Sequence, residues 1–458
     1  MKNAFEGIAF RSISRRAFLV SSTATGIGVV FGNLINVKKA FGQSAPLSPN
    51  AWVRVGTDNI VTIFSPAAEM GQGVMTSMPL LIAEEMDLDW ARCRVEQSPY
   101  EPKTFGNPLF GGGMIAGASR TTRGYYQIIR LAGMQARAVM VESAAGKLGV
   151  PASELSTEPH TVVHRASGRR LSYGEIAAFA QVPANPPQFA PAQLKPASQF
   201  RLIGKDQPRI DVPDKVTGRA KYGIDTRLPG MVYATVLRAP VNGEAPLDID
   251  YSEARKVPGA LQFVRMPYGV GIIAESYPAA LKAKKLVKVT WSQRSKARDY
   301  NPDKIIGEFT ERVRDVADKG VPYEAHGDVR SALATAAKRV VAEYSSLNVT
   351  HATLEPQNCT ARVDGDRIEF WAPTQAPFGV FLAAVKGHGF KPENVKINTT
   401  LLGGGFGRRA ENDYAVDVGF LAKAVPGTAV KMIWSREDDI QHTKPRPLAV
   451  QRLEAGLD

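Results

Sequence analysis

Three glycine-rich turns carry the residues whose types and spacing could do chemistry. They are Glu69-Met70-Gly71-Gln72-Gly73, Gly117-Ala118-Ser119-Arg120-Thr121, and Leu401-Leu402-Gly403-Gly404-Gly405-Phe406-Gly407-Arg408-Arg409. Glycine frees the backbone for positive φ and lets main-chain N–H groups approach a ligand closely. A helix starting behind such a turn adds the positive end of its dipole, which suits an anion. Gln72 offers an amide donor and a carbonyl acceptor, a pairing that fits a heterocycle edge or an oxo ligand. Each turn alone is a weak signal, since most glycine turns hold no ligand. Phe406 either walls a pocket or plugs its turn into the core, and local sequence favours the plug.

Other chemistries fail on spacing. The third glycine of a dinucleotide fingerprint starting at Gly403 falls on Arg408, and Glu437 comes later than the acidic residue that fold uses. No Gly-Lys-Ser/Thr phosphate loop is present, and Gly117-Ala118-Ser119-Arg120-Thr121 lacks the closing glycine of a nucleophile elbow. His351 and Glu355 stand four apart, but Pro356 and the β-branched neighbours argue against a helix presenting both to a metal. They read as structural residues.

The elements that must position these turns follow from periodicity. Trp52–Val55, a four-residue loop and Ile60–Phe64 read as a β-hairpin, and Cys93–Gln97 as a further strand. A helix is expected to Met86, with Thr76 or Ser77 as its N-cap and Pro79 in its first turn. A long helix runs to Leu148, stopped by Gly149 and Pro151, with Ser119 or Thr121 as its cap. Prolines in 181–204 predict an extended linker. Short strands at Met231–Leu237, Leu261–Val264 and Val287–Trp291, with a helix near Ala279–Lys285, make an α+β unit within 205–298. The apolar run 395–402 leads into the third glycine turn, and a helix is expected from Arg409 to Lys423.

The 458 residues, 44% of them apolar, can bury a large core and form two or three domains. Cys93 and Cys359 are the only cysteines, so this sequence builds no iron–sulfur ligand set. The net charge is +13, without a basic patch interleaved with aromatics, so nucleic acid is not the expected partner. Ser14-Arg15-Arg16-Ala17-Phe18-Leu19-Val20 is a twin-arginine pattern, followed by an uncharged stretch from Ala17 to Val37. Residues 1–43 therefore predict export to the periplasm or the periplasmic face of the inner membrane. That route carries folded proteins, which suits a bulky cofactor loaded beforehand.

Together the motifs resemble the molybdenum hydroxylases of the xanthine oxidase and aldehyde oxidoreductase family, most narrowly the isoquinoline-oxidoreductase type of large subunit. Arg219–Asp225 with Pro229–Ala234 resembles the family's α/β hammerhead domain, within 205–298. Segment 335–458, with His351–Pro356, Trp371–Gln375 and Gly403–Arg409, resembles the first part of its molybdopterin-binding region. Segment 46–180, with the Gly-Gln-Gly and Gly-Ala-Ser-Arg-Thr turns, resembles a part that most members place after the hammerhead.

The resemblance implies an α+β fold in permuted order and molybdopterin cytosine dinucleotide as cofactor, its dithiolene rather than a side chain holding the molybdenum. Gly71, Gln72, Gly73, Gly117, Ala118, Ser119, Arg120 and Thr121 would contact the pterin and its phosphates. Gly404, Gly405, Phe406 and Gly407 would line the metal, with Phe406 on the substrate side. The implied reaction is hydroxylation of an N-heteroaromatic or oxidation of an aldehyde, with water as oxygen source. Electrons would pass to a small subunit with [2Fe–2S] clusters, and from there to an acceptor such as a cytochrome. The family's glutamine near the metal falls on Val349, and a glutamate after the glycine turn falls on Ala410. The family's catalytic glutamate has no counterpart up to Asp458, which implies a truncated subunit with no catalytic residue of its own. The alternative expectation is a fragment that serves only as a binding or scaffold protein.

Overall fold

The computed structural model describes residues 46–315, 317 and 320–458. The twin-arginine segment lies outside them. The chain divides into two units: residues up to Asp225 with Glu369–Gly403, and Thr226–Ile368 with Gly404–Asp458.

In the first unit, β1 (Leu47–Asn50), β2 (Val53–Val55), β3 (Val61–Ser65) and β4 (Cys93–Gln97) form one sheet in that order. The expected hairpin is present as β2–β3, with Val53 opposite Ile63 and Val55 opposite Val61. All four of those side chains are buried, so alternation has placed one face in the core. Strand β4 runs parallel to β3, which requires a crossover, and α1 (Val74–Glu85) supplies it. Helix α2 (Thr121–Leu148) packs against α1 through Gly133, where a Cβ would stand 2.9 Å from the Ile82 carbonyl oxygen. It ends at Gly149 in the left-handed region (φ 66°), as the sequence predicts.

Residues 181–204 stay on the first unit, gripped by two buried carboxylates of α1. Glu84 accepts backbone N–H groups of Arg201, Leu202 and Ile203 at 2.6–3.0 Å. Burial alone would raise the Glu84 pKa, but these donors, with Lys195, hold it below the usual carboxylate range. Glu85 takes both Nε and Nη2 of Arg130 on α2, at 2.9 and 2.6 Å. Arg130 also donates to the Lys195 carbonyl and stacks over Phe200. Residues 209–225, expected with the hammerhead-like segment, also belong to this unit.

In the second unit, β5 (Val232–Arg238), β6 (Ala260–Met266), β7 (Gly269–Ala274), β8 (Asn358–Asp364) and β9 (Val430–Ile433) stand in the order β6-β7-β5-β9-β8. Neighbours are antiparallel except β5 and β9. Helix α3 (Asp413–Ala424) lies on this sheet, with Leu421 so close to Gly271 that a Cβ there would clash at 2.2 Å. Its Asp417 is wholly buried and accepts from Arg238, Tyr268 Oη and Trp434 Nε1 at 2.5, 2.8 and 3.0 Å. Arg238 is sandwiched between the Tyr268 and Trp434 rings, each 4.7 Å from its guanidinium carbon. Mixed sheets with helices packed on them make the fold α+β.

Candidate functional site

Residues expected to meet a ligand occur in both units. In the first, Gly71 and Gly73 have φ of 109° and 89°, a region glycine occupies without strain. The glycine N–H groups of this turn are already committed. Glu69, 1% exposed, takes the N–H groups of Gly71 and Gly73 on Oε1 at 2.8 and 3.2 Å. Its Oε2 takes the Met75 N–H at 3.0 Å. Helix α1 accordingly starts at Val74 with Gly73 as N-cap, earlier than a Thr76 or Ser77 cap would allow. Pro79 lies inside the helix rather than in its first turn.

The Gln72 amide is also braced. Its oxygen accepts the Met70 N–H at 2.7 Å and its nitrogen donates to the Ala68 carbonyl at 2.8 Å. An amide has two lone pairs and two N–H bonds, so one of each remains on an exposed side chain. The Leu402 N–H donates to the Glu69 carbonyl at 3.0 Å, tying the 395–402 run to this turn.

The second turn is built the opposite way. Ala118 and Ser119 both have positive φ, 50° and 53°, uncommon for residues with a Cβ. The N-cap of α2 is Arg120, with no side-chain cap. Thr121 Oγ1 instead accepts the Gly117 N–H at 3.2 Å, and Ser119 makes no cap. Ala118, Ser119, Arg120, Thr122 and Arg123 are exposed. Below them, buried Asn107 donates to the Arg120 carbonyl and accepts the Leu109 N–H. Gln375 holds the entry to the turn, exchanging hydrogen bonds with Ala116: N–H to carbonyl at 2.8 Å and Nε2 to carbonyl at 2.9 Å.

In the second unit, Gly404, Phe406 and Gly407 have φ of 93°, 53° and 101°. The Phe406 ring is 59% exposed, so it does not plug the turn into this unit's core. Two arginines anchor the turn instead. Arg408, 1% exposed, makes a two-pronged pair with Asp413 at 2.9 and 3.0 Å. Arg409, wholly buried, donates to the Glu355 and Pro356 carbonyls at 2.7 and 3.1 Å and pairs with the Glu355 carboxylate at 3.2 Å. After a single 3-10 turn at Arg408–Ala410 the chain becomes extended at Glu411, so α3 starts at Asp413 rather than Arg409. His351 lies beneath Gly407, where a Cβ would stand 3.7 Å from its Nε2. Burial and the nearby Arg446 and Arg408 lower its pKa. Val349 is half exposed and Ala410 exposed.

A pterin diphosphate fits part of this. The exposed, uncapped start of α2 has backbone donors free to face an anion. The Gly71–Gly73 turn does not offer its glycine N–H groups, because Glu69 has taken both; it presents the rest of the Gln72 amide. Among the described residues no cluster of His, Cys, Asp or Glu is placed to hold a metal ion.

Comparisons with known proteins agree with the motifs. Residues 10–214 and 313–458 each match a family model described as a molybdopterin cofactor-binding domain. The chain is 37% identical to the beta subunit of isoquinoline 1-oxidoreductase from Brevundimonas diminuta, over 97% of its own length and 62% of that protein's. It is 31% identical to the membrane-bound aldehyde dehydrogenase [pyrroloquinoline-quinone] of Gluconacetobacter polyoxogenes, over 98% and 59%. A nicotinate dehydrogenase subunit of Pseudomonas putida is 26% identical, over 89% and 34%. The chain thus spans about three-fifths of the first two relatives. Over residues 10–214 and 313–458 the chain carries molybdopterin cofactor-binding domains of the xanthine oxidase family.

Proposed function

We propose that this chain is the molybdenum-binding part of an exported oxidoreductase that hydroxylates an N-heteroaromatic or oxidises an aldehyde. When bound, the molybdenum pterin supplies a two-electron redox centre at which oxygen from water is transferred to carbon. Substrate class follows the names of the relatives, isoquinoline, aldehyde and nicotinate. The cytosine dinucleotide form, a [2Fe–2S] partner subunit and twin-arginine export belong to the same reading. The observation that carries it is the open start of α2, where the first-turn N–H groups of Thr121, Thr122 and Arg123 have no partner within the helix and can face the cofactor's phosphates. Gln72 would hold the pterin edge with its remaining donor and acceptor, and the exposed Phe406 would bound the substrate side.

The test is purification with a co-expressed iron–sulfur subunit, followed by molybdenum analysis, oxidised-pterin fluorescence and identification of the nucleotide released by hydrolysis. Molybdenum, pterin and cytidine monophosphate are expected in near-equal amounts, and Gln72→Ala should lower all three. A chain with none of them, or one carrying a quinone as the second relative's name has it, would sink the proposal. The alternative expectation from the sequence is a binding or scaffold protein without turnover. A pterin-free chain that still binds the iron–sulfur subunit stably would favour it.

A further inference from the structure

The signals in the Gly71–Gly73 turn that the motif reading leaves unused are the residues around it. Glu69 is buried at the turn's inner side and collects five donors. Three are the N–H groups already described, from Gly71, Gly73 and Met75. The other two are Arg209 Nη2 at 3.4 Å and Lys215 Nζ at 3.2 Å. Asp211 joins the same two cations, with Nη2 of Arg209 and Nζ of Lys215 each at 2.6 Å. Two carboxylates face two cations, so the cluster is neutral as a unit, which lets a buried charge persist. Arg209 also donates from Nη1 to the Gly71 carbonyl at 3.2 Å, gripping the turn from its outer side.

We propose that Glu69 is the positioning residue of the Gly71-Gln72-Gly73 turn, held by Arg209 and Lys215, and that it fixes which groups the turn shows to a ligand. A glycine pair alone has many conformations and would be free to aim its N–H groups outward. With Glu69 inside, those N–H groups point inward and the turn presents the braced Gln72 amide. The ligand part recognised here is therefore an uncharged donor–acceptor edge, not a phosphate. This rests on the proposed pterin for the ligand, but not for the geometry.

Two readouts separate them. Hydrogen exchange is measured on the full chain made in cells unable to synthesise pterin, and pterin content on chain made in competent cells. Glu69→Ala should speed exchange at Gly71, Gly73 and Met75 by about tenfold or more, with the buried amides of β3 unchanged, and should cut pterin content several-fold. Glu69→Gln, which keeps an acceptor oxygen, should restore part of both. Arg209→Ala, which leaves Lys215 on Glu69, should fall between wild type and Glu69→Ala. Unchanged exchange at those three amides in both Glu69 variants would overturn the proposal. So would a wild type that carries pterin and a Glu69→Ala variant that keeps the same content while its amides lose protection. Should wild type carry no pterin and Glu69→Ala still release the amides, the positioning role stands and the cofactor reading falls.

Discussion

The turns at Gly71–Gly73 and Gly117–Thr121 look alike in sequence, each a glycine followed by a helix, and they differ in where their donors go. The first is closed: a buried carboxylate fills the end of α1, and the glutamine side chain folds over its own backbone. The second is open: α2 has no side-chain cap, and its first residues are exposed. Glycines report that the backbone can turn, not which way its N–H groups end up facing. The residue that decides stands beside the motif, as Glu69 does, or is missing, as at α2. A helix start without its own carboxylate keeps its positive end for a visitor.

The largest expected effect comes from disturbing the open start. A Cβ on Gly124 would fall 1.9 Å from Asn107 Oδ1 and 2.7 Å from its Cγ. Asn107 is wholly buried and bonded on both sides, so it has nowhere to move. Gly124→Ala should therefore cost on the order of 1–3 kcal/mol, the usual range for overpacking. It should also shift the first turn of α2 and reduce pterin content. Urea unfolding and pterin fluorescence check both. A variant that keeps wild-type stability would mean that this end of α2 is loosely held.

Much of the frame was legible in the sequence, because apolar alternation and helix-stopping residues act locally. The β2–β3 hairpin, β4 and the Gly149 stop of α2 fall where the pattern puts them. What the pattern could not show is buried charge. A one-dimensional string does not assign Glu69, Glu84, Glu85 and Arg409 to the interior, since their partners lie elsewhere in the chain: Arg130 for Glu85, Arg209 for Glu69, Glu355 for Arg409. The same blindness misplaced the helix caps. Thr76 or Ser77 suits an N-cap by type, but a carboxylate five residues before α1 had already supplied the acceptor. The local preference for Phe406 as a plug fails for a related reason: arginines take the anchoring role that an aromatic suits.

Acid should separate the closed turn from its surroundings. His160 is buried in the first unit, its Nδ1 accepting the Asp89 N–H at 2.7 Å, and burial lowers its pKa from 6.5 to about 4. His442 in the second unit is lowered to about 4 as well, by burial and then by Arg238. Folding favours both rings neutral, so their contribution is full above pH 6.5 and is lost as pH falls from there towards 4. The slope is at most ~1.4 kcal/mol per pH unit for each ring. Asp211 behaves otherwise: burial would raise its pKa, but Arg209 and Lys215 hold it well below the carboxylate range. The cluster around the closed turn should then stay paired where the histidines have begun to charge. Between pH 6.5 and 5, global stability by urea should drop while exchange at Gly71 and Gly73, corrected for pH, stays slow. A stability flat across that window would remove the buried-neutral reading of both rings.

The smallest effect tests why the open start carries strain. Ser119 is exposed, left-handed at φ 53°, and forms no cap, so its side chain gives the fold nothing that offsets its conformation. Glycine adopts that region freely, at the cost of more freedom in the unfolded chain. For a non-glycine residue the left-handed region costs roughly 1–2 kcal/mol, so Ser119→Gly should stabilise the chain by about 0.5–1 kcal/mol, a small rise in Tm. If the strain serves the ligand by aiming the following N–H groups, stability should rise while pterin content falls. Glu69 gives the closed turn its direction through hydrogen bonds; Ser119 would give the open one its direction through backbone strain alone. A variant that gains stability and keeps its pterin would show that the open start owes its direction to Thr121 and Gln375 instead, which hold Gly117 and Ala116 from either side.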